Sequence, residues 1–259
     1  MKLYGLIGYP LSHSFSGKYF AGKFEKEKIN DSSYKLFPID SIDKFLDIIK
    51  NNPDLIGLNV TIPYKESVIP FLDEIDSDAL SIGAVNTIKV ININNKKILK
   101  GFNTDVYGFE TSLTPLLNNK HKKALVLGCG GAAKAIAWVL NKLNIDFSFV
   151  TLDSEYLKDS KAFKDYNIYK YSEINNNKHL IADYNIVINT TPLGTYPNID
   201  TCPEIPYELI NSDYLLFDLT YNPEKTKFLL FGESKNAIIK NGLEMLYLQA
   251  EKAWEIWQK

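Results

Sequence analysis

The run Leu125-Val-Leu-Gly128-Cys-Gly130-Gly131-Ala-Ala133 limits what this chain can fold into more than any other stretch. An apolar strand leads into it, closely spaced glycines turn the chain, and an alanine-rich segment continues as a helix to about Leu143. A buried strand followed by a covering helix is the repeating unit of α/β folds with parallel sheets. Gly128 permits the tight turn, and Gly130 and Gly131 let backbone amides approach a pyrophosphate. The helix N-terminus adds a partial positive charge at the same place. A sharp structural turn without a ligand is the competing explanation. Cys129 reads as a small filler within the turn.

Strand and helix patterns alternate on both sides of this turn. Upstream, the spacing predicts strands over Leu3–Gly8, Tyr34–Pro38 and Leu55–Ile62, and a hairpin of Ala84–Ile93 with Ile98–Gly101 around Asn94-Asn95. Phe15, Tyr19, Phe20 and Phe24 form an apolar stripe on a helix over Phe15–Ile29. Ser41 is placed to cap a helix through Ile49, and a polar helix is predicted near Glu66–Asp73. Downstream come a helix over Val106–Leu117 and strands over Lys123–Leu127, Asp146–Leu152, Asp183–Asn189 and Tyr214–Leu219. An amphipathic helix over Leu243–Trp257 carries Leu243, Leu246, Ala250, Ala253, Trp254 and Trp257 at core spacing. Asn175-Asn176-Asn177 reads as a solvated turn. The expected class is α/β with mostly parallel sheets, and 259 residues suffice for two domains.

A second informative segment is Asn59-Val-Thr-Ile-Pro-Tyr-Lys65. Apolar residues lead in, a β-branched run forms the strand, and a proline ends it beside a lysine. The strand thus delivers an amine to its C-terminal rim, where α/β proteins bind ligands. Asn59 and Thr61 fall on one face. A solvated surface lysine is the ordinary alternative for Lys65.

Composition narrows the function classes. A formal net charge of −2 gives no basic excess for nucleic acid. Two cysteines, Cys129 and Cys202, are too few for a disulfide framework. His13, His121 and His179 lack partners at ligand spacing, so no metal site is expected. No apolar run reaches membrane-spanning length, and the N-terminus enters a strand pattern directly, so a cytoplasmic protein is expected.

Further motifs join these. They are Gly8-Tyr-Pro-Leu-Ser-His-Ser14-Phe-Ser16, Gly83-Ala-Val-Asn86-Thr, Gly101-Phe-Asn-Thr-Asp105, Asn189-Thr-Thr-Pro-Leu-Gly194 and Gly242-Leu-Glu-Met-Leu-Tyr-Leu-Gln249-Ala. With Asn59–Lys65, in this order over nearly the whole chain, they strongly resemble the shikimate dehydrogenase family. The resemblance implies a substrate-binding domain over residues 1–105, completed by 237–259, and a Rossmann dinucleotide domain over 106–236. It also implies reversible NADPH-dependent reduction of 3-dehydroshikimate to shikimate, by a monomer or homodimer acting on a small molecule, with neither nucleic acid nor membrane as partner.

Site roles follow from the same resemblance. Ser14 and Ser16 are expected to hold the substrate carboxylate; as residues at a helix start they could equally be caps, and the two roles are compatible. Thr61, Asn86 and Gln249 are expected at the ring hydroxyls, and Tyr221, in Asp218-Leu-Thr-Tyr-Asn-Pro, at the substrate from the nucleotide domain. Lys65 is expected to stabilise the developing oxyanion and donate its proton. Asp105, otherwise a cap of the helix that follows, is expected to orient the hydroxyl and hold the lysine. Gly128, Cys129, Gly130, Gly131, Ala132, Asp153, Thr190, Leu219 and Gly242 are expected along the dinucleotide.

The chain departs from the family pattern after the second Rossmann strand. The family's NADP enzymes carry Asn-Arg-Thr there; this chain has Leu152-Asp153-Ser154. An acidic residue at that point can accept from an adenosine 2′-hydroxyl, which favours NAD, although it also reads as a helix cap. Lys158 and Lys161 are near enough in sequence to compensate for the missing arginine. NADP is thus the family default, and an NAD-dependent quinate/shikimate dehydrogenase is the alternative. Thr195 stands where the family has methionine. A catalytically silent dinucleotide-binding sensor is the rival of another class, and retention of Lys65 and Asp105 argues against it.

Overall fold

A computed structural model describes residues 1–12, 14–94, 96–152, 163 and 165–259. His13, Asn95, Asp153, Lys158 and Lys161 lie outside the described residues. The chain divides into two compact units, residues 1–104 with 249–259, and residues 105–248.

The first unit is built on a six-stranded sheet. Strands β1 (Lys2–Gly8), β2 (Ser32–Pro38), β3 (Leu55–Val60), β4 (Glu74–Ile75), β5 (Thr87–Ile93) and β6 (Lys96–Phe102) lie in the order β2-β1-β3-β5-β6-β4. β1 pairs parallel with β2 and β3, whereas β5 runs antiparallel to both β3 and β6. This sheet is therefore mixed: β4 also pairs parallel with β6, so three of its five pairings are parallel, and the antiparallel β5–β6 pair is the hairpin expected from the sequence.

Helix α1 (Phe15–Lys26) follows β1, and Phe20 and Phe24 of its predicted stripe are buried. Ser41 does cap, but its side chain accepts from Asp43 N in a 3₁₀ turn that leads into α2 (Phe45–Asn51). The helix expected near Glu66–Asp73 is absent. Turns and a 3₁₀ segment, Ile69–Phe71, take its place, with Pro70 inside. Proline lacks the N–H that a longer helix needs. Helix α3 (Ser77–Ile82), not foreseen, ends at Gly83, whose φ of 70° is the left-handed conformation that glycine tolerates best.

Residues 249–258 complete this unit as the last turns of α8 (Leu243–Gln258). Trp257 stacks on Tyr4 with ring centroids 5.0 Å apart, and its indole N–H donates to Ile88 O at 3.0 Å. Buried Lys23 of α1 bonds Glu251 of α8 at 2.8 Å.

The second unit carries an all-parallel sheet. Strands β7 (Lys123–Leu127), β8 (Asp146–Thr151), β9 (Ile168–Lys170), β10 (Ile186–Asn189), β11 (Leu215–Asp218) and β12 (Ile238–Lys240) run in the order β12-β11-β10-β7-β8-β9. This is the doubly wound order of a dinucleotide fold, with the switch point between β7 and β10. Helices α4 (Asp105–Leu113), α5 (Gly131–Lys142), α6 (Tyr171–Asn176) and α7 (Lys227–Ser234) accompany it. β12 hydrogen-bonds to β11, so residues 237–248 belong here, and the chain returns to the first unit at Gln249 rather than at 237. Asn175 is not in a solvated turn; it lies in α6, and its amide donates to Tyr171 O and Glu204 O.

Gly57 of β3 sits against the Trp257 ring, where an added Cβ would lie 2.3 Å from Nε1. The indole is held by Ile88 and cannot withdraw. We expect Gly57→Ala to lower unfolding free energy by about 1–3 kcal/mol, read as a shift in the denaturation midpoint. An unchanged midpoint would show that α8 can slide off β3 at no cost.

Candidate functional site

In the first unit, the expected substrate residues gather where β1 and β3 end and β5 begins. Gly8 closes β1 so near β3 that an added Cβ would meet Thr61 Cγ2 at 2.4 Å. Two cis peptides, Tyr9–Pro10 and Ile62–Pro63, lie side by side there, with Tyr9 N donating to Ile62 O at 3.1 Å. The Thr61–Lys65 turn is pinned by buried Tyr64, whose hydroxyl donates to Ile39 O at 2.6 Å. Val85 N donates to Lys65 O at 2.7 Å, which sets the lysine's backbone beside Asn86. Lys65 itself is half-buried.

Asn86 organises this end. It is buried, and its Oδ1 accepts from Thr104 N at 2.7 Å, Thr87 Oγ1 at 3.1 Å and Thr104 Oγ1 at 3.2 Å. Its Nδ2 donates to Gln249 Oε1 at 3.2 Å, so residues expected to share the ring hydroxyls are in direct contact. An amide nitrogen carries two protons, and the Gln249 bond uses one of those on Asn86. On the other side Asn59 Nδ2 donates to Thr87 Oγ1 at 3.3 Å and to Asn86 O at 3.5 Å. Asn59 Oδ1 accepts from the Tyr34 hydroxyl at 2.8 Å. Burial holds the Tyr34 phenol well above its ordinary pKa. A continuous hydrogen-bonded line thus runs from Tyr34 to Gln249.

Ser14 occupies the N-cap position of α1, but its side chain makes no capping bond. Asp105 opens α4 at the boundary of the second unit and is buried. Tyr34 and Thr104 were not foreseen. Thr104 stands inside the Gly101–Asp105 motif, yet nothing in its spacing marks it as a donor to Asn86.

In the second unit the glycine turn sits at the C-terminal edge of the parallel sheet. Gly128 has φ of 100°, and an added Cβ would lie 2.9 Å from Thr190 Oγ1. Gly130 is the N-cap of α5, and a Cβ there would meet nothing within 4 Å. An open face at a helix N-terminus is what a phosphate approaching backbone amides requires. Gly131 and Ala132 form the first turn of α5. Beside the turn opens a cavity of ≈ 820 Å³, walled by Gly128, Cys129, Leu152, Tyr171, Thr191 and Cys202 among others. Leu152 is 86% exposed, an apolar side chain left at the end of β8. Burial pushes the Cys129 thiol up to about 12, so it stays neutral and acts as filler. A glycine turn at a helix N-terminus beside a cavity at the strand ends is a geometry that fits a dinucleotide.

The other half of this edge is held by a buried carboxylate. Asn189 and Asp218 are register partners at the last rung of β10 and β11, and both are fully buried. Asn189 Nδ2 donates to Asp218 Oδ1 at 3.0 Å, and Thr220 N donates to the same oxygen at 3.0 Å. The Thr226 hydroxyl donates to Oδ2 at 2.5 Å. Asn189 Oδ1 accepts from Thr191 N at 3.0 Å and Thr191 Oγ1 at 2.6 Å. Thr190 donates through its hydroxyl to Leu127 O at 2.7 Å, and Leu219 N to Asn189 O at 3.0 Å. Thr195 and Thr220 share a hydroxyl bond of 2.9 Å. Gly242 lies against Leu219, where a Cβ would be 2.1 Å from the carbonyl oxygen. Tyr221 is half-buried, and burial raises its phenol. Asp153 lies outside the described residues.

Similarity to known proteins is extensive. Residues 6–88 match the shikimate dehydrogenase substrate binding domain. A shikimate dehydrogenase (NADP(+)) of Clostridium beijerinckii is 43% identical over 268 residues, covering 100% of this chain and 93% of the relative. The chain belongs to the shikimate dehydrogenase family. Several solved family structures carry ligands. The Thermus thermophilus enzyme in complex with NADP(H) and shikimate has a TM-score of 0.83 at 27% identity, covering 99% of this chain and 93% of that one. The Listeria monocytogenes enzyme in complex with shikimate and NAD has a TM-score of 0.83 at 27% identity, covering 100% and 92%. Membership accounts for the two-unit α/β fold, and the doubly wound sheet is the family's Rossmann domain.

Burial raises the Asp218 carboxyl to about 6, with the bonds from Thr226, Thr220 and Asn189 opposing. A carboxyl with a raised folded-state pKa favours folding below its unfolded value and loses that contribution as pH climbs through the folded value. Relative to Asp218→Asn, the wild type should therefore lose on the order of 2–3 kcal/mol of unfolding free energy between pH 4 and 7. Paired urea titrations at the two pH values check this, and a parallel response of the two proteins contradicts it.

Proposed function

We propose that this protein is an NADP-dependent shikimate dehydrogenase, catalysing the reversible reduction of 3-dehydroshikimate to shikimate in chorismate and aromatic amino-acid biosynthesis. The observation that carries this is the full-length similarity to a relative named for that activity, at 43% identity. The Asn86–Gln249 pair and the open glycine turn support it from within the chain. No helix among the described residues is long and apolar enough to cross a membrane. A cytoplasmic monomer or homodimer acting on a small molecule is the setting we propose.

The roles are as follows. Ser14 and Ser16 donate hydroxyl hydrogen bonds to the substrate carboxylate. Thr61, Asn86 and Gln249 bond the ring hydroxyls, with Asn86 and Gln249 using the amide protons they do not spend on each other or on the protein. Tyr221 is a further substrate contact. The bound dinucleotide supplies the hydride. As the ketone carbon accepts it, charge grows on oxygen, and the Lys65 ammonium stabilises that charge and delivers the proton. Asp105 acts as the carboxylate that orients the reacting hydroxyl. Gly128, Cys129, Gly130, Gly131 and Ala132 face the pyrophosphate, Asp153 the adenosine ribose, and Thr190, Leu219 and Gly242 the nicotinamide half.

Lys65→Ala should lower kcat by roughly 10²–10⁴-fold while shikimate binding is largely kept, measured by steady-state turnover and calorimetry. Near wild-type turnover would remove Lys65 from the chemistry. A second reading, an NAD-dependent quinate/shikimate dehydrogenase, is favoured by one observation: Leu152-Asp153 stands where an arginine would clamp a 2′-phosphate. Initial rates for shikimate or quinate, each with NADP or NAD, separate the readings. The first expects the shikimate–NADP pair to be fastest, and the second an NAD pair.

A further inference from the structure

We propose that Asp218 is a positioning residue for the dinucleotide, working with Asn189 as a clasp across β10 and β11; this rests on the dinucleotide reading above. The argument is geometric. Asn189 and Asp218 face each other at the final rung of the parallel ladder, and each immediately precedes a residue assigned to the nicotinamide half, Thr190 and Leu219. Where parallel strands end, the ladder stops supplying backbone partners, and the connections beyond need another anchor. The clasp is that anchor. Through Asn189 Oδ1 it holds Thr191, and through Asp218 Oδ1 it holds Thr220, so the connections after both strands are fixed to one buried group. Thr226, the N-cap of α7, is fixed to the other carboxylate oxygen. The Thr195–Thr220 bond ties the connections together farther out.

A carboxylate suits this post because it accepts at both oxygens. Its oxygens receive three donors from three elements. A buried acid kept only for stability would be a poor choice, because an apolar replacement of equal volume is often no worse. What the apolar replacement cannot do is set the two connections relative to each other.

The test compares dissociation constants for NADP⁺ and NAD⁺ by calorimetry, with KM for shikimate, in wild type, Asp218→Ala, Asp218→Asn and Asn189→Ala. Asp218→Ala should weaken dinucleotide binding at least about tenfold and leave KM for shikimate within about twofold. Asp218→Asn should stay within about threefold of wild type, because its oxygen still accepts from Asn189 and Thr220, and Thr226 can rotate to accept from its amide. If Asp218→Ala does not fold, Asn189→Ala carries the same expectation. A folded Asp218→Ala or Asn189→Ala with wild-type dinucleotide affinity overturns the proposal. So does an Asp218→Asn as weak as Asp218→Ala, and so does an equal loss for dinucleotide and shikimate. Wild-type protein that binds neither dinucleotide would instead sink the functional reading itself.

Discussion

The side-chain amide of Asn86 is the contact on which the substrate-binding unit depends. A mixed sheet must bring its parallel half (β1, β2, β3) and its antiparallel half (β5, β6) to a common end; β3 and β5 pair through their backbones, and Asn86 extends that join beyond the last rung. Asn86 does so with few atoms. Its main chain bonds Val60 and Phe102, its carbonyl oxygen collects Thr87 and Thr104, and its amide reaches Gln249 on α8. A buried polar group this fully satisfied fixes one arrangement of its neighbours.

The dinucleotide unit solves the matching problem differently. Its sheet is wholly parallel, so all its strands end at one edge, and the glycine turn and the Asn189–Asp218 pair occupy opposite halves of that edge. One half is left open, with Gly130 unobstructed. The other half is filled with side-chain bonds.

Much of this was legible in the residues, for reasons that can be named. The glycine turn was clear because Gly128 needs a positive φ and because apolar residues precede it in an unbroken run. The long C-terminal helix was clear from its 3.6-residue stripe. The short elements were not: β9, β12 and α6 each span six residues or fewer, too few for a period to emerge. The helix expected near Glu66 failed because polar spacing outweighed Pro70 in the reading but not in the fold. Within the candidate site, the expectations for Lys65, Asn86 and Gln249 came from motifs. Thr104, Tyr34 and Asp218 escaped as functional groups because their importance lies in partners 18 to 29 residues away. Spacing along a chain does not encode such pairs.

The helix α8 has a consequence for how the protein is made. Tyr4, Phe20 and Trp257 share one aromatic core, yet more than two hundred residues separate the first two from the third. During synthesis the β1–α1 segment emerges early and must wait, with its aromatic face uncovered, until all of residues 105–248 have been added. The dinucleotide unit, contiguous in sequence, can close while the substrate unit cannot. The half that begins first is thus the last to be completed.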